Sequence, residues 1–303
     1  MRFHKFENFS ILNLAFSLIL LVVSTPLRAD APSASRPAPN PQLPTLFIVG
    51  DSTVKNRLPL VGWGDPIADF FDLGRINVEN HAMAGRSSRT FIAEGRWETV
   101  RSKLKKGDFV LIQFGHNDSK MKLSMDRYSL PGLGEETEDA VDSKTHEKIV
   151  IHTFGFYMKR MIAETLAAGA MPVVLSPVPR CKWADGKIVR GEENHAAWDA
   201  EIAKAADVSY IDLNAIIANV YDPIGKAKIK ALYFPGDNTH NNLAGARLNA
   251  ACVVRGLLDL PKPSAAEFLR DDADRTSQEE ISSAATEAEK LILPPTTQPT
   301  TKS

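Results

Sequence analysis

Short, mainly apolar runs, three of which end at or near glycine, alternate along this chain with longer segments in which apolar residues recur at helical spacing. A run without polar residues predicts a strand that is buried on both faces, as in a parallel sheet. Strands are predicted at 45–50, 76–83, 109–114, 171–178 and 210–213, and helices at 67–73, 94–105, 154–168, 196–206 and 243–258. This alternation predicts an α/β protein with a five-stranded parallel sheet in a three-layer α/β/α sandwich.

The first residues follow a different pattern. Basic residues precede an apolar stretch from 11 to 23, and small and polar residues then lead to a possible cleavage point after Ala29. This order is typical of a secretory signal peptide, which we predict for residues 1–29. The alternative is an uncleaved membrane anchor, but the stretch is short of the roughly 20 apolar residues that a spanning helix needs. We therefore expect a secreted or periplasmic protein without membrane contact after cleavage.

Two further segments lack the composition of a folded core. Residues 30–44 are rich in Pro, Ala and Ser and predict an extended linker. Residues 263–303 lack apolar periodicity and predict a disordered tail, with a short helix within 277–293 as the alternative. The folded domain is therefore expected to span 45–262.

Charge and cysteine content narrow the class of partner. The 303 residues carry a formal net charge of -1 at a pI near 6.7, which gives no reason to expect nucleic acid or an anionic membrane as partner. Cys181 and Cys252 either form a disulfide or remain as two buried thiols, and their spacing does not predict a metal site. The oligomeric state stays open.

Candidate catalytic residues lie near both ends of the predicted domain. Ser52 follows the first strand, and Asp237 precedes His240 by three residues. A serine hydroxyl is a weak nucleophile that needs an adjacent base, and the base needs a group that orients it. Ser52, His240 and Asp237 can supply these three roles, although an Asp-x-x-His spacing is weak support by itself.

Donors for a developing oxyanion are found at two other strand ends. Acyl transfer places negative charge on the carbonyl oxygen, which backbone N–H groups and side-chain amides can stabilise. Gly85 offers an N–H in a turn after the second predicted strand, Asn117 offers an amide after the third, and Ser52 offers its own N–H. His116 and Asp118 beside Asn117 could suggest a metal site, but such a site needs further carboxylates, so we expect His116 to pack or hydrogen-bond beside the oxyanion hole.

These residues resemble the four sequence blocks of the SGNH hydrolases, which occur here in the expected order. The rhamnogalacturonan acetylesterase branch is the most similar, and the resemblance extends over most of 45–260. The family blocks are GDST at 50–53, Gly85, GHND at 115–118 and DNTH at 237–240, and the branch segments are 84–91, 112–118, 176–180 and 239–250.

The resemblance implies a role for each matching residue. Ser52 would be the nucleophile, His240 the base, Asp237 its partner, and Gly85 and Asn117 oxyanion donors together with the Ser52 N–H. It further implies a flavodoxin-like fold, no metal or other cofactor, and an acetyl ester on a pectic sugar such as rhamnogalacturonan as substrate. The chain departs from the branch at 238 and at 181–183, which leaves the sugar open.

Other functions remain as alternatives. An SGNH esterase could act on acetylxylan, on another acetylated glycan, or on a lysophospholipid or thioester, but the polar segment 120–145 favours a carbohydrate cleft over a lipid one. A catalytically inactive carbohydrate-binding protein is a second alternative, which the presence of all five site residues disfavours. Arg86, Arg89 and Arg180 could bind galacturonate carboxylates or form structural ion pairs. No GxSxG, HExxH, P-loop or GxGxxG motif is present.

Overall fold

A computed structural model describes residues 38–119, 126–143, 145–191 and 194–291. Its main sheet has five parallel strands in the order β2-β1-β3-β6-β9, and two small antiparallel pairs, β4-β5 and β7-β8, lie outside it. The strands are β1 Thr45–Gly50, β2 Asn77–Asn80, β3 Phe109–Gln113, β4 Thr137–Val141, β5 Lys148–His152, β6 Met171–Leu175, β7 Trp183–Ala184, β8 Lys187–Ile188 and β9 Ser209–Ile211. The predicted five-stranded α/β sandwich is confirmed.

Helices cover both faces of the sheet. They are α1 Ser88–Ala93, α2 Arg96–Arg101, α3 Phe154–Ala167, α4 His195–Ala205, α5 Leu213–Ile224, α6 Lys226–Tyr233, α7 Leu243–Leu258 and α8 Ala273–Lys290, with short 3-10 helices at Pro66–Phe70 and Ala265–Phe268. Alternate residues of a strand point to opposite faces, so β1 and β3 contribute to two separate cores. Leu46 and Ile48 pack with α5, α7 and α8, whereas Phe47 and Val49 pack with α1 to α4.

Strand order fixes where a site can form. In the main sheet, β1 lies between β2 and β3, so the chain goes from β1 to one edge and then returns to the other side of β1. The carboxyl ends of β1 and β3 meet at this change of direction, where open α/β sheets bind their ligands. Ser52 follows β1 and Asn117 follows β3, so both lie at this point.

Several elements differ from the sequence expectations. The polar segment 120–145 contains strand β4, which pairs with β5 directly after the segment, while residues 120–125 and 144 lie outside the described residues. The second strand is only four residues long, and the helix expected at 67–73 is a single 3-10 turn. Helices α5 and α6 were not predicted.

The C-terminal segment corrects the expectation of a disordered tail from residue 263. Helix α8 packs on α7 and buries small side chains at helical spacing, namely Ser277, Ala284 and Ala288. Their small size gave little apolar signal in the sequence, but it lets two helices approach closely. Residues 292–303 lie outside the described residues.

At the N-terminal end, the last residues of the expected linker contact the domain. Asn40 and Asn77 exchange hydrogen bonds of 2.8 Å, and Lys105 Nζ donates to the carbonyls of Pro41 and Leu43 at 2.6 and 2.8 Å. The predicted signal peptide lies outside the described residues. Among the helices that are described, none has the length and apolar content required to cross a membrane.

Both cysteines are buried thiols without a disulfide. Cys181 follows β6 and Cys252 lies within α7. Burial raises the pKa of Cys252 to about 12, which keeps this thiol protonated. Of the two alternatives that the sequence left open, the structure has the buried thiols.

Candidate active site

The turn after β1 places Ser52 at the edge of the sheet. A Cβ at Gly50 would lie 2.5 Å from Val54 Cγ2 and 2.7 Å from the Gln113 carbonyl oxygen, so only glycine fits where β1 leaves the sheet. The Asp51 carboxylate then accepts hydrogen bonds of 2.8 Å from both the N–H and the hydroxyl of Thr53. These contacts fix the turn on both sides of Ser52, which is 7% exposed.

His240 reaches Ser52 from the loop between α6 and α7. Its Nε2 lies 2.8 Å from Ser52 Oγ, and its Nδ1 lies 2.6 Å from Asp237 Oδ2. Since the carboxylate can only accept, Nδ1 carries the proton and Nε2 is left to accept from the serine hydroxyl. The structure therefore brings together the three residues that the sequence predicted as nucleophile, base and orienting group.

Asp237 is held in its role by the backbone of its own turn. Its Oδ1 accepts from the N–H groups of Thr239 and His240 at 2.6 and 2.8 Å. Partial burial would raise the pKa of Asp237, but the hydrogen bond from the His240 ring and those from the two backbone N–H groups hold this pKa below its ordinary value. The carboxylate is thus ionised at neutral pH and accepts the hydrogen bond from the His240 ring.

The predicted oxyanion donors lie on the same cleft as the serine. Gly85 adopts φ +78° in the turn after β2, a left-handed conformation that favours glycine. Within the described residues, neither the Ser52 nor the Gly85 backbone N–H donates to a protein acceptor. Asn117 Nδ2 donates one hydrogen to the Arg86 carbonyl at 3.1 Å, and its second hydrogen is available to a ligand.

Asp118 ties the Asn117 turn to its surroundings. The carboxylate is buried and accepts from Ser88 N–H and from the hydroxyls of Ser88 and Ser129, at 3.0, 2.5 and 3.0 Å. The Gly115 N–H donates to its second oxygen at 3.1 Å. Asp118 therefore joins the end of β3 to the start of α1 through the hydrogen bonds that it accepts.

A cleft of about 580 Å³ opens over Ser52 and His240. Its walls are mainly polar and charged, with a minority of apolar side chains. The residues that line it are Ser52, Asn56, Arg57, Leu60, Met83, Ala84, Gly85, Arg86, Thr90, Glu94, Asn117, Asp126, Arg127 and His240. Such a lining suits a polar ligand with hydroxyl and charged groups.

Residues 48–248 match the sequence model of the GDSL-like Lipase/Acylhydrolase family. The chain belongs to this family. It is therefore an esterase that acts on carboxylic esters, and the family predicted from the four sequence blocks is confirmed.

Two acetylesterases and one crystal structure are similar to most of this esterase. The rhamnogalacturonan acetylesterase of Emericella nidulans is 32% identical over 216 residues, which cover 71% of this chain and 84% of the relative. The rhamnogalacturonan acetylesterase RhgT of Bacillus subtilis is 29% identical over 236 residues, covering 72% and 91%. The crystal structure of Bacillus subtilis YxiM aligns with a TM-score of 0.58 and 26% identity over 71% of this chain, which is 56% of YxiM.

Three arginines that could either bind galacturonate or form structural ion pairs, Arg86, Arg89 and Arg180, make internal contacts in the esterase. Arg86 lines the cleft and pairs with Glu94 at 2.9 Å, whereas Arg89 is buried and donates to backbone carbonyls. Arg180 donates to the carbonyl of His116 at 3.1 Å and to the hydroxyl of Thr239. Structural contacts therefore account for Arg89 and Arg180, and Arg86 is the one of the three at the cleft.

Sequence reasoning missed two residues that contact the site. Arg127 Nη1 lies 3.4 Å from Asn117 Oδ1, which fixes the amide with its nitrogen toward Arg86. Lys230, on α6, donates to the backbone carbonyl of Asp237. Neither residue belongs to a motif, and both approach the site from segments without a strand end. Among the described residues, no group of three or more His, Cys, Asp or Glu side chains is placed to hold a metal ion.

Proposed function

We propose that this esterase removes O-acetyl groups from a pectic polysaccharide resembling rhamnogalacturonan, with Ser52 as nucleophile. The observation that carries the proposal is the continuous hydrogen-bonded chain from Ser52 through His240 to Asp237 at the floor of a polar cleft. The two relatives named as rhamnogalacturonan acetylesterases support the substrate class.

In the proposed reaction, Ser52 Oγ attacks the acetyl carbonyl while its proton passes to His240 Nε2. The carbonyl oxygen becomes an oxyanion that accepts from the N–H groups of Ser52 and Gly85 and from the Asn117 amide. The tetrahedral intermediate collapses, the bond to the sugar oxygen breaks, and His240 returns the proton to that oxygen. Asp237 stabilises the imidazolium that exists between these two transfers.

Water completes the cycle. A water molecule takes the place of the departed sugar, gives a proton to His240 and attacks the acetyl-serine carbonyl. The second tetrahedral intermediate expels Ser52 Oγ, which recovers its proton from His240, and acetate leaves. The balance is one ester and one water consumed for one alcohol and one acetic acid released.

The cleft lining supports a sugar ester over a long-chain lipid ester. Arg57, Glu94, Asp126 and Arg127 place charged groups around the nucleophile, whereas Leu60 and Met83 are among its few large apolar side chains. An acyl chain would remove water from these charged groups, which costs free energy. An acetyl group buries little surface and leaves the charged walls available to sugar hydroxyls and carboxylates.

Acetate release from defined polymers tests this proposal. We expect wild-type protein to release acetate faster from acetylated rhamnogalacturonan than from acetylated homogalacturonan or acetylxylan. Ser52→Ala should lose activity by several orders of magnitude and should not react with a fluorophosphonate. Ser102→Ala, at an exposed position directly after α2, should retain both properties. Retained activity in Ser52→Ala would refute the mechanism, and preferred release from acetylxylan would refute the substrate.

The proposal includes secretion, which is tested separately. If residues 1–29 are a signal peptide, the exported protein should begin at Asp30. Mass spectrometry of the N-terminal peptide from culture supernatant or periplasm measures this directly. An intact N-terminus on membrane-bound protein would instead support the uncleaved anchor.

A further inference from the structure

Beneath the site, a buried ion pair joins the nucleophile turn to the oxyanion-side turn. The Asp51 carboxylate and the His116 ring are both buried, and His116 Nδ1 lies 3.2 Å from Asp51 Oδ2. Asp51 directly precedes Ser52, and His116 directly precedes Asn117. A movement of this pair would therefore displace the nucleophile relative to the candidate oxyanion donor.

The hydrogen bonds of His116 define its charge. Its second nitrogen, Nε2, lies 3.0 Å from the backbone carbonyl oxygen of Val178, which can only accept. Asp51 Oδ1 accepts hydrogen bonds from both the N–H and the hydroxyl of Thr53, which favours the ionised carboxylate, so Asp51 Oδ2 also accepts. Both ring nitrogens must then donate, which requires an imidazolium.

Arg180 links the His116 turn to the turn that bears His240, the candidate base. One guanidinium nitrogen donates to the His116 carbonyl at 3.1 Å, and another donates to the Thr239 hydroxyl. The next residue, Cys181, donates its N–H to the Asn238 carbonyl at 2.7 Å. The segment from 178 to 181, which follows β6, thus contacts both the His116 turn and the turn before His240.

We propose that His116, held as an imidazolium, and Arg180 are positioning residues that set Asn117 and His240 against Ser52. This inference rests on the proposed roles of those three residues. A neutral His116 could keep only one of its two hydrogen bonds, and loss of Arg180 would release the hydroxyl of Thr239 from the His116 turn. Because a displacement of about 1 Å at reacting groups can cost about 100-fold in rate, these contacts should act on kcat.

Kinetics of Arg180→Gln, Thr239→Val and the double variant test the role of Arg180. With p-nitrophenyl acetate, we expect each single variant to lower kcat about 10- to 100-fold with KM within about threefold of wild type. Since both changes break the same hydrogen bond, the double variant should be no slower than the slower single variant. Arg180→Lys, which can keep one of the two contacts, should recover part of the loss.

Arg190→Gln is the matched control. Like Arg180, Arg190 donates to two partners, here the side chains of Asn219 and Asp222 at 2.8 and 2.7 Å, but it does not line the cleft. Arg190→Gln should therefore leave kcat unchanged. Circular dichroism and thermal unfolding establish that each variant is folded. If Arg180→Gln does not fold, Thr239→Val alone tests the role of Arg180. Unchanged kcat in the folded variants, or additive losses in the double variant, would overturn the role of Arg180.

The protonation of His116 is measured without reference to activity. In protein labelled with 15N-histidine, we expect both His116 nitrogens to carry protons at pH 7, in wild type and in the inactive Ser52→Ala variant alike. His116→Gln identifies the signal by its absence. Asp51→Asn should return the ring toward its neutral form. An unprotonated His116 nitrogen in wild type would overturn the imidazolium, whereas activity retained in Ser52→Ala would overturn the proposed function instead.

Discussion

The buried carboxyl of Asp118 predicts a specific dependence of stability on pH. Burial raises the pKa of Asp118 from 3.8 to about 6, against the opposing hydrogen bonds from Ser88 and Ser129, and the nearby charge of Asp51 adds to the rise. A carboxyl whose pKa is higher in the folded state retains its proton there after the unfolded chain has lost it. The contribution of Asp118 to the free energy of unfolding is therefore most favourable below pH 4, and it is lost as the pH rises to about 6.

The size of the effect follows from the shift. A difference of about 2 pKa units between 3.8 and about 6, at about 1.4 kcal/mol per unit, amounts to about 3 kcal/mol. Such a term is a substantial part of the 5–15 kcal/mol by which native proteins are typically stable. Other carboxyls also titrate in this range, so the contribution of Asp118 must be isolated by comparison with a variant that lacks its ionisation.

Asp118→Asn provides that comparison. An amide oxygen at the Oδ1 position can still accept from Ser88 and Ser129, but the amide nitrogen would face the Gly115 N–H, so we expect a constant loss of stability at all pH values. On top of this loss, the stability of wild type relative to the variant should fall by about 3 kcal/mol between pH 4 and pH 7.

Urea unfolding at a series of pH values measures the difference. Ser129→Ala is a second variant that removes one donor to the ionised carboxylate and leaves the carboxyl in place. It should raise the pKa of Asp118 further and enlarge the fall in stability by about 1 kcal/mol or more. A wild-type minus Asp118→Asn difference that stays constant to within about 0.5 kcal/mol across this range would refute the reasoning.

Three further outcomes are expected. Asp237→Asn should lower kcat about 10³- to 10⁴-fold with little change in fold, because an amide nitrogen would favour the wrong His240 tautomer, as steady-state kinetics will measure. Gly62→Ala should destabilise by about 3 kcal/mol or more in urea unfolding, because its Cβ would lie 2.1 Å from a backbone carbon, whereas Gly236→Ala has open space and should be near neutral. Truncation after residue 262 should lower the melting temperature in thermal unfolding, because it removes α8 from its contact with α7.

The strands that carry the site could be predicted because they are continuous apolar runs. β1 and β3 are buried at every position, and each ends at a glycine-containing turn with polar residues. The three-residue step from Asp237 to His240 could also be predicted, because it depends on one turn of chain. These features are local in sequence, and local patterns are what a single sequence records best.

The sequence indicated the C-terminal helix only as an alternative, because the buried face of this helix lacks large side chains. The buried residues of α8 are Ala273, Ser277, Ala284 and Ala288, whose small side chains contribute little to an apolar pattern. The β4-β5 hairpin was missed for a related reason. Only Ile151 among its ten residues is fully buried, so the alternation that marks a half-buried strand is weak.

The position of His240 also depends on contacts that no motif contains. The backbone carbonyl of Asn238 accepts from Cys181, and the carbonyl of Asn241 accepts from the Val61 N–H at 2.9 Å. Both contacts use backbone groups of residues far away in the chain, so many side chains are compatible with them. A search for Asp-x-x-His can therefore find the pair but not its placement. The segments that follow β1 and β6 hold this turn from two sides, so the position of the candidate base depends on the tertiary fold.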